Sequence, residues 1–267
     1  MTELDTELRM AIAAFAARPR VLVAIDFDGT LAPFVVDPMQ ARSVPGGLET
    51  LRTAAGFDGI TVAVVSGRDL ETLAELTGLG SGEGVVLIGS HGAQVGVAAG
   101  SAGAGFLDEE AKALLAVVVG ELEEIRSRHP AVRLEHKPAS VSLHTRGVEP
   151  SDAAAATTAA LEVGERHTGV HLMPGKNVVE LTVVEADKGS AIVNLARATR
   201  SEATLYLGDD VTDERAFAAL DPASGDLTIK VGEGDTAAAY RVRDPAAVVE
   251  LLELFVDQRA LHGPSQL

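Results

Sequence analysis

The chain has no cysteine and no tryptophan among its 267 residues. Without cysteine there is no disulfide framework, no thiol nucleophile and no Cys-ligated zinc. Seven Phe and two Tyr are the only aromatic residues. A core must therefore be packed from Val, Leu, Ile and Ala, and few rings are on hand to stack nucleobases. Basic side chains are scarce too: 22 Lys and Arg against 39 Asp and Glu leave a net charge of -17. That charge repels nucleic-acid backbones and anionic lipid surfaces. The apolar stretch Ala113 to Val119 is far too short to span a bilayer and runs into Gly120-Glu121. Met1 to Arg20 carries Glu3, Asp5 and Glu7 and lacks the basic-then-apolar order of a signal peptide. These absences argue against nucleic acid and membrane as partners, and for a soluble, cytoplasmic monomer that acts on a small molecule.

What is present is a well-stocked core, 46% hydrophobic by residue, enough for one large domain or two modest ones. The apolar run Val21-Leu22-Val23-Ala24-Ile25 reads as a strand buried on both faces, as in a parallel sheet. It delivers Asp26-Phe27-Asp28-Gly29-Thr30-Leu31 at its end. Ligands in open α/β sheets bind outside the carboxyl ends of the strands, and two carboxylates placed there suit phosphoryl chemistry. Asp26 is the candidate nucleophile, and Asp28 the acid and then the base toward the leaving and entering oxygens. A calcium loop is excluded, because its glycine falls at the sixth position and a Glu at the twelfth.

The spacing predicts helices over 1–18, 48–55, 69–79, 108–129, 151–167, 188–199, 213–220 and 245–260. It predicts buried strands at 21–25, 60–65, 85–88, 204–207 and 227–231. Between them, residues 132–135 and 141–146 alternate like strands with one wet face, and 170–173 and 178–183 are strand-like as well. The fold class is α/β: a Rossmann-like parallel-sheet core, 1–107 with 185–267, and an inserted αββαββ lid, 108–184, with an open-faced antiparallel sheet. Hinges for lid motion are expected near 96–107 and 184–187.

Three further signals stand at strand-to-helix junctions. Ser66-Gly67-Arg68 follows Val62 to Val65; Ser66 is placed to bond a phosphoryl oxygen with the adjoining amides, or else to act as a plain helix N-cap. Lys188-Gly189-Ser190 opens a helix and offers an ammonium against charge building on the phosphoryl oxygens and on Asp26. Asp209-Asp210-Val211-Thr212-Asp213 follows Leu205 to Gly208, a carboxylate cluster suited to a hard cation such as Mg2+ or, for Asp213 alone, to helix capping. A cation is wanted because a carboxylate attacking a phosphate monoester sets anion against anion.

In this order the four signals, with the insertion between Ser66 and Lys188, resemble the haloacid dehalogenase superfamily of aspartate-nucleophile phosphatases with a type-2 cap. Within it, the chain is most similar to the trehalose-6-phosphate phosphatases. That finer resemblance is carried by Ser90-His91-Gly92-Ala93, Glu135-His136-Lys137, Ser142-x-His144-x-Arg146 and Gly175-Lys176-Asn177-Val178-Val179-Glu180. It departs from the pattern at Ser90 and Gln94, where an acidic residue is expected in many relatives. The resemblance implies an aspartyl-phosphate mechanism with Asp26 as nucleophile, Asp28 as acid/base, and Ser66 and Lys188 as the phosphate-holding pair. It also implies Mg2+ on Asp26, the Asp28 carbonyl and Asp209, with Asp210 and Asp213 nearby. Gly67, Arg68, His91, Glu135, Lys137, His144, Arg146, Lys176, Asn177 and Glu180 are the implied substrate-binding set. The expected reaction is hydrolysis of trehalose 6-phosphate to trehalose and phosphate, the last step of trehalose biosynthesis. Glucosyl- or mannosyl-3-phosphoglycerate and sucrose 6-phosphate are alternative substrates, and a sugar-phosphate mutase is an alternative chemistry.

Overall fold

The structure, a computed structural model, describes residues 4–80, 82–96, 107, 109–137, 139–175, 177–183 and 187–262. The chain divides into two compact units, residues 1–101 with 186–267, and residues 102–185.

The first unit is built on a seven-stranded sheet. Its strands are β1 (Val21–Asp26), β2 (Ile60–Val65), β3 (Val85–Gly89), β4 (Gln94–Gly96), β9 (Ala203–Gly208), β10 (Leu227–Val231) and β11 (Tyr240–Val242). Their order is β11-β10-β9-β1-β2-β3-β4. All neighbours run parallel except β3 and β4. The strand order reverses at β1, between β9 and β2, which is the place where such sheets open a crevice. Every residue of β1 is buried, because the sheet is covered on both faces. Val21, Val23 and Ile25 join one cluster with Leu8, Ile12 and Phe15 of α1 (Thr6–Ala16), Leu51 of α2 (Gly47–Ala55), and Leu251, Leu252 and Phe255 of α8 (Pro245–His262). The opposite face carries Tyr206, whose ring centroid lies 5.7 Å from that of Phe217 in α7 (Val211–Ala219). The remaining helices of this unit are α3 (Leu70–Thr77) and α6 (Lys188–Thr199).

The second unit pairs β5 (Arg133–Lys137), β6 (Ser140–His144), β8 (Val178–Thr182) and β7 (His171–Gly175), in that order and all antiparallel. Val141, Leu143, Val179 and Leu181 pack on α4 (Glu109–Arg128) and α5 (Pro150–Arg166). Strand alternation sends Glu135, Lys137, Ser142, His144 and Glu180 to the other face. The register sets Glu135 beside Ser142 and Ser142 beside Glu180.

Several sequence expectations are corrected. Strands β4 and β11 were not foreseen: each is three residues long and too short to show a period. β6 stops at His144, so Arg146 lies in the following turn beside Gly147, which has a positive φ, and shares no strand face with His144. Helix α7 starts at Val211, not 213, because Asp210 and Asp213 form a reciprocal capping box. The expected hinge segments fall largely on 97–106 and 184–186, outside the described residues.

Candidate active site

The register builds the centre. Asp26 pairs with Val65 and Ile25 with Leu207, so the ends of β1, β2 and β9 lie level. The chain leaves β1 through Gly29, whose φ is 85°. A Cβ added there would overlap the Asp209 carboxylate. Glycine therefore lets the first motif and the last one touch.

Behind them sits a buried charged cluster. Lys188, 2% exposed, donates from Nζ to Asp26 Oδ1 and to Asp213 Oδ1, each at 2.7 Å. Asp213 is fully buried and saturated with donors. Its Oδ1 also accepts the Tyr206 hydroxyl at 2.6 Å, and its Oδ2 accepts the amides of Asp209 and Asp210 at 2.8 and 2.9 Å. Asp209 accepts the Thr30 hydroxyl at 3.1 Å, and its carbonyl accepts Lys230 Nζ. Burial pushes the Asp26 carboxyl well up, Lys188 pulls it down, and the Asp213 and Asp209 charges push it up again. Asp209 is raised by burial and then by Asp213, with Thr30 opposing. Burial works against the Asp210 charge as well, but Thr212 and Lys188 outweigh it and hold that carboxyl low. Burial and the Asp213 and Asp26 charges keep the Tyr206 hydroxyl protonated, so it is a fixed donor.

Carboxylate oxygens of Asp26, Asp209 and Asp213 lie within 4.8 Å of one another. Lys188, the one ammonium bonded to these carboxylates among the described residues, cannot neutralise all three. Carboxyls raised by burial and by neighbouring charge, as Asp26 and Asp209 are, are what a divalent cation relieves. The donor set therefore fits a hard cation. Of the three, Asp213 spends its acceptor sites on Lys188, Tyr206 and two amides, which leaves Asp26 and Asp209 to face an ion.

In front of this cluster is a cavity of about 360 Å3, lined by Asp26, Asp28, Phe34, Pro38, Ser66, Gly67, Arg68, His91, Lys188 and Asp210. Asp28 is held by the Arg68 guanidinium in a two-pronged pair at 2.6 and 2.7 Å, so Arg68 is engaged with Asp28. Ser66 is buried, and its Oγ accepts the Arg68 amide at 3.1 Å. It is not a helix N-cap: Asp69 caps α3. The Ser66 and Ser90 loops are laced together, the His91 amide donating to the Ser66 carbonyl at 3.0 Å and the Ser90 amide to the Arg68 carbonyl at 2.6 Å. Ser90 and His91 both have positive φ, a strain of about 1–3 kcal/mol each that tends to gather at functional sites. The His91 ring occupies the space a side chain at Gly67 would need. Gln94, at a departure from the expected pattern, accepts the Leu70 amide at 2.9 Å and the Ser90 hydroxyl at 3.0 Å, bonds a carboxylate there would also accept.

In the second unit the polar face is paired. Lys137 Nζ donates to Glu180 Oε2 at 2.7 Å, Ser140 to Glu180 Oε1 at 2.6 Å, and His144 Nε2 meets Glu135 Oε2 at 2.8 Å. Burial pushes Glu180 up, but its hydrogen bonds from Lys137 and Ser140 outweigh this and hold it below the usual carboxylate range. Asn177 is an exposed turn residue with φ of 61° whose carbonyl accepts the Thr145 amide. Arg146 is exposed, and Lys176 lies outside the described residues.

A model of the trehalose-phosphatase family matches residues 24–246, from within β1 to the start of α8. The chain belongs to the trehalose-phosphatase family. Its relatives include the trehalose-phosphate phosphatase of Mycobacterium bovis (strain BCG), 32% identical over 260 residues that make up 94% of this chain. That of Mycobacterium avium (strain 104) is 35% identical over 251 residues, 88% of this chain. This family member spans 64% and 62% of the length of those two proteins. Among solved structures, trehalose-6-phosphate phosphatase of Aspergillus fumigatus aligns over 96% of this chain and 99% of its own, at 25% identity and a TM-score of 0.58. Among the described residues, no helix of this family member is long and apolar enough to cross a membrane.

Three residues that serve the centre escaped the sequence: Thr30, Tyr206 and Lys230. Tyr206 had a legible signal, a hydroxyl inside the apolar strand Leu205-Tyr206-Leu207. So did Lys230, a lone ammonium in a strand whose every residue is buried.

Proposed function

We propose that this chain is a phosphoric monoester hydrolase that removes phosphate from trehalose 6-phosphate through an aspartyl-phosphate intermediate, working in the cytoplasm as a monomer. The observation that carries the chemistry is the buried Asp26–Lys188 pair at the mouth of β1, with Asp209 beside it. Lys188 holds Asp26 Oδ1 in place and opposes the upward push of burial on its carboxyl, favouring the carboxylate form that a nucleophile requires. Asp26 attacks phosphorus, an Oδ–P bond forms, and the bond from phosphorus to the sugar oxygen breaks. Asp28 gives that oxygen its proton. It then takes a proton from water, whose oxygen attacks phosphorus, breaks the acyl-phosphate bond and returns Asp26. For this role Asp28 has to leave the Arg68 fork, which occupies both of its carboxylate oxygens. Ser66 and the amides after it hold the phosphoryl oxygens, and Lys188 offsets their charge. Mg2+ on the Asp26 and Asp209 carboxylates and the Asp28 carbonyl would supply Lewis acidity toward the same oxygens. Asp210 and Asp213 would support that site, Asp210 through its cap on α7 and Asp213 through Lys188 and the two amides.

The trehalose assignment is supported by the family and by the paired polar face of the second unit. Glu135, Lys137, His144 and Glu180 present charge-assisted donors and acceptors suited to sugar hydroxyls. The test is phosphate release with Mg2+ across trehalose 6-phosphate, sucrose 6-phosphate, glucose 6-phosphate and glucosyl-3-phosphoglycerate. Trehalose 6-phosphate is expected to give the highest kcat/KM. A higher value for any of the others refutes the substrate, and a centre that stays active as Asp26→Asn refutes the mechanism.

A further inference from the structure

Two side chains lining the catalytic cavity are out of keeping with the rest. Phe34 and Pro38 are its only large apolar members, and both come from the short segment that follows the first motif. Phe34 is 73% exposed, and Val35, Val36 and Met39 beside it are exposed as well. Nine aromatics are all this chain has. Phe15, Phe27, Phe217, Phe255 and Tyr206 are buried, and Phe57 and Tyr240 are partly buried. Among the described residues, Phe34 is the one ring left largely in solvent. A contiguous apolar stretch at the rim of a charged cavity marks a surface that a ligand covers.

The segment is also anchored at both ends. The Gly29 and Val44 amides donate to the carbonyls of Ala32 and Leu31. Asp37 accepts the Met39 amide, and Arg42 donates to the Met39 carbonyl. The ring is thus presented from a fixed base. A cavity of about 360 Å3 is near the lower end of small-molecule sites, large enough for a phosphate and one hexose ring. A pyranose carries hydroxyls at its rim and a face of C–H groups, and that face packs on the negative face of an aromatic ring.

We infer that Phe34 is a substrate-contact residue, stacking on the C–H face of the sugar ring that bears the phosphate, with Pro38 extending the apolar wall. The inference rests on the phosphatase reading given above and adds to it a specificity element in the first unit. It is tested without turnover in a variant that reports directly. The chain has no Trp, so Phe34→Trp carries a single indole, placed at the proposed contact and excited selectively over the two Tyr. In chelator, trehalose 6-phosphate and glucose 6-phosphate are expected to shift its emission to the blue and to saturate. Acetyl phosphate and orthophosphate are expected to leave it unmoved. In parallel, Phe34→Ala with Mg2+ should lower the ratio of kcat/KM for the sugar phosphate over acetyl phosphate by roughly ten- to a hundred-fold, the worth of burying a phenyl ring. No response to any sugar phosphate, an equal response to acetyl phosphate, or an unchanged ratio overturns the contact. If the wild type prefers a sugar phosphate other than trehalose 6-phosphate, the substrate reading fails. The contact is then scored on the preferred sugar.

Discussion

Replacing Lys188 by methionine should destabilise the first unit as much as a large truncation in its apolar core, although it removes no packing volume. The side chain is 2% exposed and bridges Asp26 and Asp213 at 2.7 Å each. Methionine keeps the packing volume but leaves three carboxylates, oxygens within 4.8 Å, without the ammonium that bridges Asp26 and Asp213. Removing one partner of a buried pair costs about 3–5 kcal/mol. In a chain of this size that is a fall in Tm of about 6–20 °C. The loss should also depend on pH, with a definite sign. Asp26 already sits above the ordinary 3.8 because of burial, and Lys188 is the largest influence holding it down. Without the lysine its folded pKa rises further. A carboxyl raised on folding binds its proton more tightly in the folded state. Its contribution is complete below the unfolded pKa and is lost as pH rises through the folded one. The deficit should therefore be smaller near about pH 5 than near about pH 8, and millimolar Mg2+ should recover part of it by replacing the missing cation. Urea unfolding of both proteins at the two pH values, with and without Mg2+, measures all three effects. A loss under about 1 kcal/mol, or a larger deficit in acid, would refute the account of the cluster.

Other outcomes follow from the same geometry. Asp26→Asn should retain less than about a hundredth of the wild-type rate, since an amide is no nucleophile toward phosphorus. Asp28→Asn should slow both formation and hydrolysis of the intermediate by about a hundred-fold or more, read by rapid-quench kinetics. Chelation should silence the enzyme and Mg2+ restore it, with Ca2+ a poor substitute because it prefers more ligands and longer bonds. Mg2+ at about a hundred times its Kd should also raise stability by about 2.7 kcal/mol in the wild type, and much less in Asp209→Asn. Gly29→Ala should shift the half-saturating Mg2+ concentration upward, because its methyl group competes with the Asp209 carboxylate for space; an unchanged value would show that Asp209 does not face the ion.

The position of the candidate centre was legible in the sequence because its polar residues lie at strand ends. Asp26, Ser66 and Asp209 each follow or close an apolar run, so reading the strands located them, and β2 and β10 fall where the apolar pattern places them. What stayed hidden depends on partners far away in sequence. That Arg68 would grip Asp28 across 40 residues, or that Asp213 would collect Tyr206 and Lys188, is decided by sheet order, which no local pattern records. Arg146 shows the limit in the other direction. Alternation extended its strand by two residues, whereas the turn at Gly147 ends the ladder at His144.

The insertion of the second unit between β4 and α6 has a consequence for synthesis. Asp26 and Ser66 leave the ribosome long before Lys188, which lies 162 residues beyond Asp26, and β1 finds its second neighbour only when β9 has emerged. Until then a nascent chain exposes one edge of a strand that is buried along its whole length in the finished fold, the kind of open ladder that invites pairing with another chain. Closure by such distant pairing is slow. Fragments ending before residue 203 should therefore need a chaperone to stay soluble, even where every helix and strand they contain is already formed.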